Sequence, residues 1–396
     1  MKYVKKNAPK TLWSLCLIIC FTVVFPFGTY ADEEQTSQKE TMQVMMDEIN
    51  DLKEKVLGEE GEKLHFGGYA DFHYNGTTQQ GKKNKMDFHR LAIGFTYRFT
   101  DWIIFEAEID FEHGGQEIEL EFANVNLQFY DPLNASIGAL LMPVGFLNQH
   151  HEPILYYSVE RPYVDKYVIP TTWTEGGLGI YGSYDSVLRY QLYMVGGLNA
   201  EKFTASSGIR KGRGGAANAF AEDFAGVARV AYSGVPGLHL GVSGYFGGAS
   251  QGVPGLSGVT VGIVEGDARY RWKQFELRGV VASNFISDTE KIFAETGQAV
   301  GKTIFGWYVE ADCHAGEWFL PGGMDLVFFG RYEQFDTQES MAPGLTADPV
   351  NDRHVTTFGM AYYPIPRLAF KVDGEYWKNG ADEDWFHYGV GFGLVF

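Results

Sequence analysis

From Leu64 to Phe396 the chain alternates between apolar residues and polar or small residues with a period of two. The clearest apolar rows are His89, Leu91, Ile93, Phe95, Tyr97 and Phe99; Ile103, Phe105, Ala107, Ile109 and Phe111; and Phe386, Tyr388, Val390, Phe392, Leu394 and Phe396. Successive side chains of a β-strand point to opposite faces, so each segment predicts a strand with one apolar and one polar face.

Sixteen such segments start near residues 64, 86, 103, 117, 135, 178, 187, 225, 238, 259, 274, 303, 323, 354, 367 and 385. Short breaks, such as 131–134, alternate with long ones, such as 143–177 and 199–224. An even number of strands with short turns at one end, longer loops at the other, and both termini at the short-turn end is typical of outer-membrane barrels.

The residues between the apolar rows are largely Glu, Asp, Arg, Gly and Thr, which suit water rather than a packed core. Backbone groups in lipid must all be paired, and closing the sheet removes its unpaired edges. Aromatic residues near the short turns, such as Trp102 and Trp272, are typical of interfacial girdles. We therefore predict an all-β fold, a 16-stranded antiparallel transmembrane β-barrel over residues 62–396.

Two different segments precede the barrel. Residues 1–31 predict a signal peptide, with four lysines, an apolar stretch from Leu15 to Phe27 and cleavage after Ala31; a retained membrane anchor is the alternative. Residues 32–61 predict a short helical, coiled-coil-like segment with apolar residues at spacings of three and four. This segment either helps a trimer associate in the periplasm or is a loose amphipathic tether.

Composition narrows the classes of function. Aromatic residues make up 15% of the chain, there are 49 glycines, and the formal net charge is −18. Removing the four lysines of residues 1–31, which contain no acids, leaves −22, a charge that disfavours nucleic acid as a partner. Cys313 is the single cysteine after residue 31, so an intramolecular disulfide is excluded there.

Acidic residues gather on one part of the predicted polar face. Two neighbouring strands carry Glu106, Glu108, Asp110 and Glu112, and Glu117, Glu119 and Glu121. Because charges face lipid only at high cost, we expect them to line water toward the outer mouth, as a charged wall or as oxygen ligands of a divalent cation. Arginines near the predicted short turns suggest a basic zone at the other end: Arg98, Arg189, Arg229, Arg269, Arg278 and Arg367.

The segment 143–177 is the candidate constriction. A barrel of about sixteen strands is too wide for side chains to fill, and loops longer than about 15 residues tend to be functional. It contains Arg161 and Glu175, and either folds into the barrel or extends outward. Arg90 and Arg331 are further lumen candidates. Arg210, Lys211 and Arg213 are expected to be solvated, or to attract lipopolysaccharide phosphates or an anionic solute. We find no enzyme site and expect no cofactor.

Several motifs resemble those of the phosphate-selective porin O and P family. They are Gly138–Phe146, Glu160-Arg161-Pro162, Pro170–Gly179, Arg331–Thr337 and Tyr362-Tyr363-Pro364. The resemblance covers most of the mature chain and implies a sixteen-stranded, trimeric porin, whose best-known members conduct phosphate along a ladder of basic residues. No full basic ladder is found here, and the polar face is acidic.

The leading interpretation is an outer-membrane porin that passes small hydrophilic solutes or inorganic ions with weak selectivity. It would contact outer-membrane lipid and lipopolysaccharide in a Gram-negative type of cell and form a homotrimer. The alternatives are an anion- or phosphate-selective channel, and a structural or adhesive barrel with a plugged lumen.

Overall fold

The structure, a computed structural model, describes residues 63–396. The predicted signal peptide and the predicted helical segment both lie outside the described residues. The described chain forms one sheet that closes because β1 pairs with both β2 and β16. The strands are β1 (Leu64–Thr77), β2 (Lys85–Arg98), β3 (Ile103–Glu112), β4 (Glu117–Tyr130), β5 (Leu133–Leu141), β6 (Thr174–Tyr184), β7 (Leu188–Gly196), β8 (Phe224–Val235), β9 (Leu238–Gly248), β10 (Thr260–Trp272), β11 (Phe275–Ile286), β12 (Thr303–His314), β13 (Asp325–Ser340), β14 (Asp352–Ile365), β15 (Leu368–Asn379) and β16 (Asp384–Val395).

The predicted closed, antiparallel barrel of sixteen strands is confirmed. Among the strand starts, β6 departs most from the prediction, beginning at Thr174 rather than near residue 178. Thr174 and Glu175 pair with Leu141 and Leu140 of β5, although the segment Thr174–Gly177 shows no apolar alternation. The long loop therefore spans residues 142–173, and we name it loop 3. Glu175 belongs to the barrel wall.

The apolar rows lie on the outer face of the barrel. In β11, Phe275 and Leu277 are 48% and 53% exposed, whereas the intervening Glu276 is 2% exposed. The same contrast separates Val264 from Glu265 in β10. Large exposed apolar residues thus surround the barrel, while charged residues point inward. This is the division that the period-two pattern predicts for a wall between lipid and water.

His89 departs from that division. The register of β1 and β2 pairs Asp71 with Arg90 and then His73 with Asp87, so β2 carries an extra residue, a β-bulge. The prediction that His89 shares the apolar face with Leu91 was wrong, because the bulge brings its Nδ1 to 3.1 Å from Asp71 Oδ2. A prediction from period-two alternation assumes a regular strand and cannot foresee an extra residue at a bulge.

An apolar cluster fills part of the interior at the loop end. Val164, Val168, Ile169 and Trp173 of loop 3 are fully buried, and they pack with apolar residues of the inner wall and of the loops after β7, β9 and β11. Helix α1 (Val164–Tyr167) lies in loop 3, and helix α2 (Thr289–Thr296) follows β11. Among residues 63–396 no helix has the length and apolar character needed to cross a membrane.

Asn148 holds the two ends of loop 3 together. Its Nδ2 donates to the backbone oxygens of Met142 (2.7 Å) and Trp173 (2.9 Å), and its Oδ1 accepts from the Trp173 amide at 2.8 Å. A fully buried side chain with both ends of its amide satisfied in this way fixes where the loop leaves and rejoins the wall.

Candidate functional site: the barrel interior

Loop 3 crosses the inside of the barrel. Its Gly145 amide donates to Ser243 Oγ of β9 at 3.2 Å, and its Val168 oxygen accepts from Asn284 of β11 at 2.9 Å. Further along, the Val159 amide donates to Asp373 Oδ2 of β15 at 2.5 Å. All these partners lie on the inner face. Of the two alternatives for the segment 143–177, the structure shows the inward one.

Burial strongly shifts the pKa values of Asp165 and His151 in loop 3. Burial raises the pKa of the Asp165 carboxyl to about 7, although a hydrogen bond from Tyr308 opposes the shift. Burial lowers the pKa of His151 to about 3, assisted by the charges of Arg90 and Arg161, so its imidazole is neutral near pH 7. Glu160 contrasts with both, because hydrogen bonding and charge from His73 outweigh burial and hold its pKa well below the usual range.

The acidic residues of β3 and β4 lie together as predicted. We call Glu106, Glu108, Asp110, Glu112, Glu117, Glu119 and Glu121 the acid wall. The strand register sets Asp110 opposite Glu119 and Glu112 opposite Glu117, at the loop end of the barrel. Glu117 and Glu119 are exposed, whereas Asp110 and Glu121 are buried.

Arg90 is the basic partner of the acid wall on the neighbouring strand. Its Nε lies 3.1 Å from Asp110 Oδ2, and its Nη2 lies 2.7 Å from Glu112 Oε1. Tyr69 donates to Glu108 at 3.3 Å, and Asn126 donates to Glu106 at 2.7 Å. These contacts leave the wall with more acids than the bases bound to it.

Arg161 of loop 3 lies beside this wall. With Tyr69, Asp71, His89, Arg90, His151, Pro153 and Tyr156 it lines a cavity of about 10 Å³, room for about one water molecule. Its Nη1 is buried and has no hydrogen-bond partner among the described residues. The structure therefore brings Arg90 and Arg161 together with the acid wall.

Glu175 joins loop 3 to the loop after β7. Its Oε1 accepts from Trp173 Nε1 at 2.9 Å and from the Gly214 amide at 2.8 Å. In the same loop, Arg213 Nη1 and Arg210 Nη1 donate to the Thr171 oxygen at 2.9 Å and 2.5 Å. Solvated arginines were expected here, and that expectation was wrong for these two side chains. The sequence gives no sign that loop 3 leaves backbone oxygens for them to bind.

The inward arginines of the opposite wall do not form a basic zone. Arg269, Glu276, Arg278, Glu310, Arg331 and Glu333 form a chain of alternating charge across β10–β13, with successive N–O distances of 2.7, 2.9, 3.2, 2.8 and 3.0 Å. We call this chain, together with Asp312, the ion-pair belt. Arg229 is likewise bound to Glu265 (3.3 Å) and Asp267 (2.6 Å). The basic zone suggested by the sequence is therefore a mixed one.

The remaining candidate, Arg98, lies apart from both groups. It ends β2 at the short-turn end, where its Nη1 donates to the Asp101 oxygen at 3.1 Å. Sequence reasoning missed Glu265, Glu276, Glu310, Asp312 and Glu333, each of which stands as a single acid between uncharged residues. Their position two residues from an arginine or another acid, on the polar face, was the available signal.

Histidine and carboxylate ligand atoms also come together in three places among the described residues. The groups are Asp71, His73 and His89; Glu112, His113 and Glu117; and His314, Glu317 and Asp325, each with its ligand atoms within 4.8 Å of one another. The first is the most buried of the three.

Solved structures of porins and of an outer membrane channel share this fold. An anion-selective porin from Comamonas acidovorans superposes with a TM-score of 0.55 at 12% identity, covering 84% of this chain and 99% of that one. Salmonella typhi OmpF, solved with daunomycin, gives 0.59 at 15% identity, with 85% and 98% covered. The outer membrane channel DcaP of Acinetobacter baumannii gives 0.54 at 9% identity, with 84% and 97% covered.

A relative in sequence is an uncharacterized protein of Aquifex aeolicus (strain VF5). It is 31% identical over 344 residues, which cover 81% of this chain and 78% of that protein. No family model matches the chain. The chain therefore belongs to the family of this Aquifex aeolicus protein, and its barrel is of the kind found in outer-membrane porins.

Proposed function

We propose that the chain forms a water-filled channel in an outer membrane of the Gram-negative type, for passive diffusion of small hydrophilic solutes and ions. The observation that carries the proposal is the division of the wall, with exposed Phe and Leu rows outside and charged residues inside. A soluble barrel would expose the opposite faces. Lipid and lipopolysaccharide are the partners that such an outer surface fits.

The proposed passage runs beside loop 3 along β3–β7. Inward residues there keep part of their surface exposed, for example Glu106, Gln128, Tyr181 and Gln191. On β10–β13 most inward charges are buried, and loop 3 contacts Arg331 and Glu333. Loop 3 then sets the narrowest section, and the acid wall borders it.

We propose a weak preference for cations, because the acid wall carries more negative charge than its bound bases neutralise. Rings and walls of charge set ion preference in pores. Phosphate selectivity, which the resemblance to the porin O and P family implies, is the second candidate. It is supported by the buried, unpartnered Nη1 of Arg161 beside Arg90.

A plugged structural barrel is the alternative from a different class. The apolar cluster that loop 3 forms with the neighbouring loops favours it. Single-channel recording in planar lipid bilayers separates the two: we expect discrete conductance steps, and their absence from correctly folded protein would establish the plugged barrel.

The reversal potential in a salt gradient tests the ion preference. We expect a small potential of the sign that marks cations as more permeant. A strong anion preference, with phosphate blocking the chloride current, would instead support the phosphate channel.

We also propose a homotrimer, on the resemblance alone. Native mass spectrometry of the detergent-solubilised protein measures the number of copies.

A further inference from the structure

Asp71, His73 and His89 point into one spot on the inner face of β1 and β2. Asp71 Oδ2 lies 2.7 Å from His73 Nε2 and 3.1 Å from His89 Nδ1. The two imidazole rings stack with their centroids 4.7 Å apart. Ligand atoms bound tetrahedrally to one transition-metal ion at about 2.0–2.1 Å stand about 3.3 Å apart, so a shift of about half an ångström would let these atoms share an ion.

The bulge in β2 creates this arrangement. Without the extra residue His89 would face outward with Leu91, and the inner face would carry one histidine instead of two. Bulges are often found where a strand must redirect a functional side chain. A structural ion pair between Asp71 and His73 would need no bulge, so the bulge indicates a role for the second imidazole.

A carboxylate from loop 3 supports the outer nitrogen of His73. Glu160 Oε1 lies 3.4 Å from His73 Nδ1, and Asn75 Nδ2 holds the same oxygen at 2.8 Å. Histidines that bind metal through one nitrogen usually donate the other N–H to a carboxylate, which fixes the tautomer and the ring. This pairing leaves His73 Nε2 as the nitrogen that faces Asp71 and His89.

Asp71 has an unused oxygen. The residue is 2% exposed, and its Oδ1 is buried without a hydrogen-bond partner among the described residues. A divalent ion bound here would replace the positive charge that a protonated His73 offers to Asp71 and Glu160, and it would neutralise both carboxylates with the imidazoles in their neutral form. The nearby Arg90 is turned toward Asp110 and Glu112, at 3.1 Å and 2.7 Å.

We propose that His73 Nε2, His89 Nδ1 and the Asp71 carboxylate bind a divalent transition-metal ion of the Zn²⁺ class. Two imidazoles with one carboxylate favour zinc, nickel or copper over calcium and magnesium, which prefer oxygen ligands alone. The ion ties loop 3 to β1, because Glu160 acts through His73. The site stands whether or not the barrel conducts.

The site borders solvent at the loop end, where the His89 side chain is 23% exposed. His113 lies edge-on to His89 with ring centroids 5.8 Å apart, and its Nδ1 lies 2.6 Å from Asp87 Oδ2. The His113 side chain is 42% exposed. A metal site needs a path from solvent.

Calorimetric titration of the chelator-treated, detergent-solubilised full chain with ZnCl₂ tests the proposal. We expect a Zn²⁺ site that CaCl₂ and MgCl₂ do not fill, and whose binding signal is lost in His73→Gln and in His89→Gln. His239→Gln, a strand histidine outside the three clusters, is the matched control and should bind as the parent does. Glu160→Gln should raise the Kd about 10- to 100-fold.

Unchanged Zn²⁺ binding in both histidine variants would overturn the proposal, as would a parent protein that binds no Zn²⁺. Because the variants can fail to fold, a second measurement uses the parent chain alone. Carbethoxylation read by mass spectrometry should show Zn²⁺ protecting His89, whose side chain is 23% exposed, and unprotected modification would contradict the site. Binding is measured without current, so a failure here is distinct from a failure of the channel.

Discussion

The acid wall and the ion-pair belt face each other across the same barrel, yet their charges are arranged differently. In the belt, three arginines and three glutamates alternate so that successive N–O contacts lie within 3.2 Å, and Asp312 lies 3.4 Å from Arg278. In the wall, seven acids share β3 and β4, where carboxylates such as Asp110 and Glu119 stand directly opposite each other. The belt neutralises all but one of its acids, whereas the wall leaves a larger net negative charge.

The ion-pair belt and the acid wall also differ in their exposure to water. Loop 3 covers the belt: Glu333 accepts from the Tyr163 amide at 2.6 Å, and Arg331 donates to Ser158 Oγ at 2.9 Å. The wall keeps Glu117 and Glu119 exposed. Charges removed from water must be paired, whereas charges in contact with water need not be. Inward charge alone therefore does not identify a pore lining; exposed, uncompensated charge does.

Removing an arginine from the ion-pair belt should have the largest effect of the predicted changes, and it should act on the free energy of unfolding. Arg331→Met leaves Glu310 and Glu333 buried without their guanidinium, and we expect a loss of about 3–5 kcal/mol in the free energy of unfolding. Denaturant unfolding of the folded protein in lipid measures this loss. Lys378→Met is the control, because the Lys378–Asp382 pair has side chains 51% and 88% exposed and should contribute nothing measurable. Equal effects of the two variants would contradict the structural role of the belt.

Periodicity was enough to predict the fold. Each strand carries its own alternation, and closure follows from the need to pair every edge in lipid. The acid wall was also predictable, since Glu106, Glu108 and Asp110 alternate along β3 and the break before β4 is short. Both features depend on residues close together in sequence.

The belt and the loop contacts were beyond sequence reasoning. Arg331 and Ser158 are 173 residues apart, and Tyr163 and Glu333 are 170 apart, so no local pattern relates them. The bulge that turns His89 inward shifts the register by one residue, which reverses the face expected from periodicity. Such features depend on which strands the closed barrel places opposite loop 3.

Neutralising the wall should change the ion preference. The triple variant Glu106→Gln, Glu108→Gln and Asp110→Asn should lower the cation-to-anion permeability ratio. A unit charge about 4 Å from an ion in water contributes about 1 kcal/mol, which is roughly fivefold for each charge removed. Reversal potentials measure the ratio. Asp131→Asn with Asp185→Asn, at exposed short turns, is the control, and a triple variant that matches it would place the wall outside the ion path.

The smallest expected effect concerns Asp165 in loop 3. Its carboxyl is buried like the acids of the ion-pair belt, but among residues 63–396 no arginine is bound to it. Burial raises its pKa from 3.8 to about 7, so loop docking is most favourable below about pH 4 and weakens as the pH rises toward 7. Hydrogen exchange of the Val168 and Ile169 amides, which donate to Val164 at 3.0 and 2.9 Å, reports loop opening after correction for intrinsic rates. We expect opening to increase at least tenfold between pH 4.5 and 7.5, since one pKa unit is about 1.4 kcal/mol. Asp165→Asn should abolish this dependence, and an unchanged slope in the variant would assign the pH response to another group.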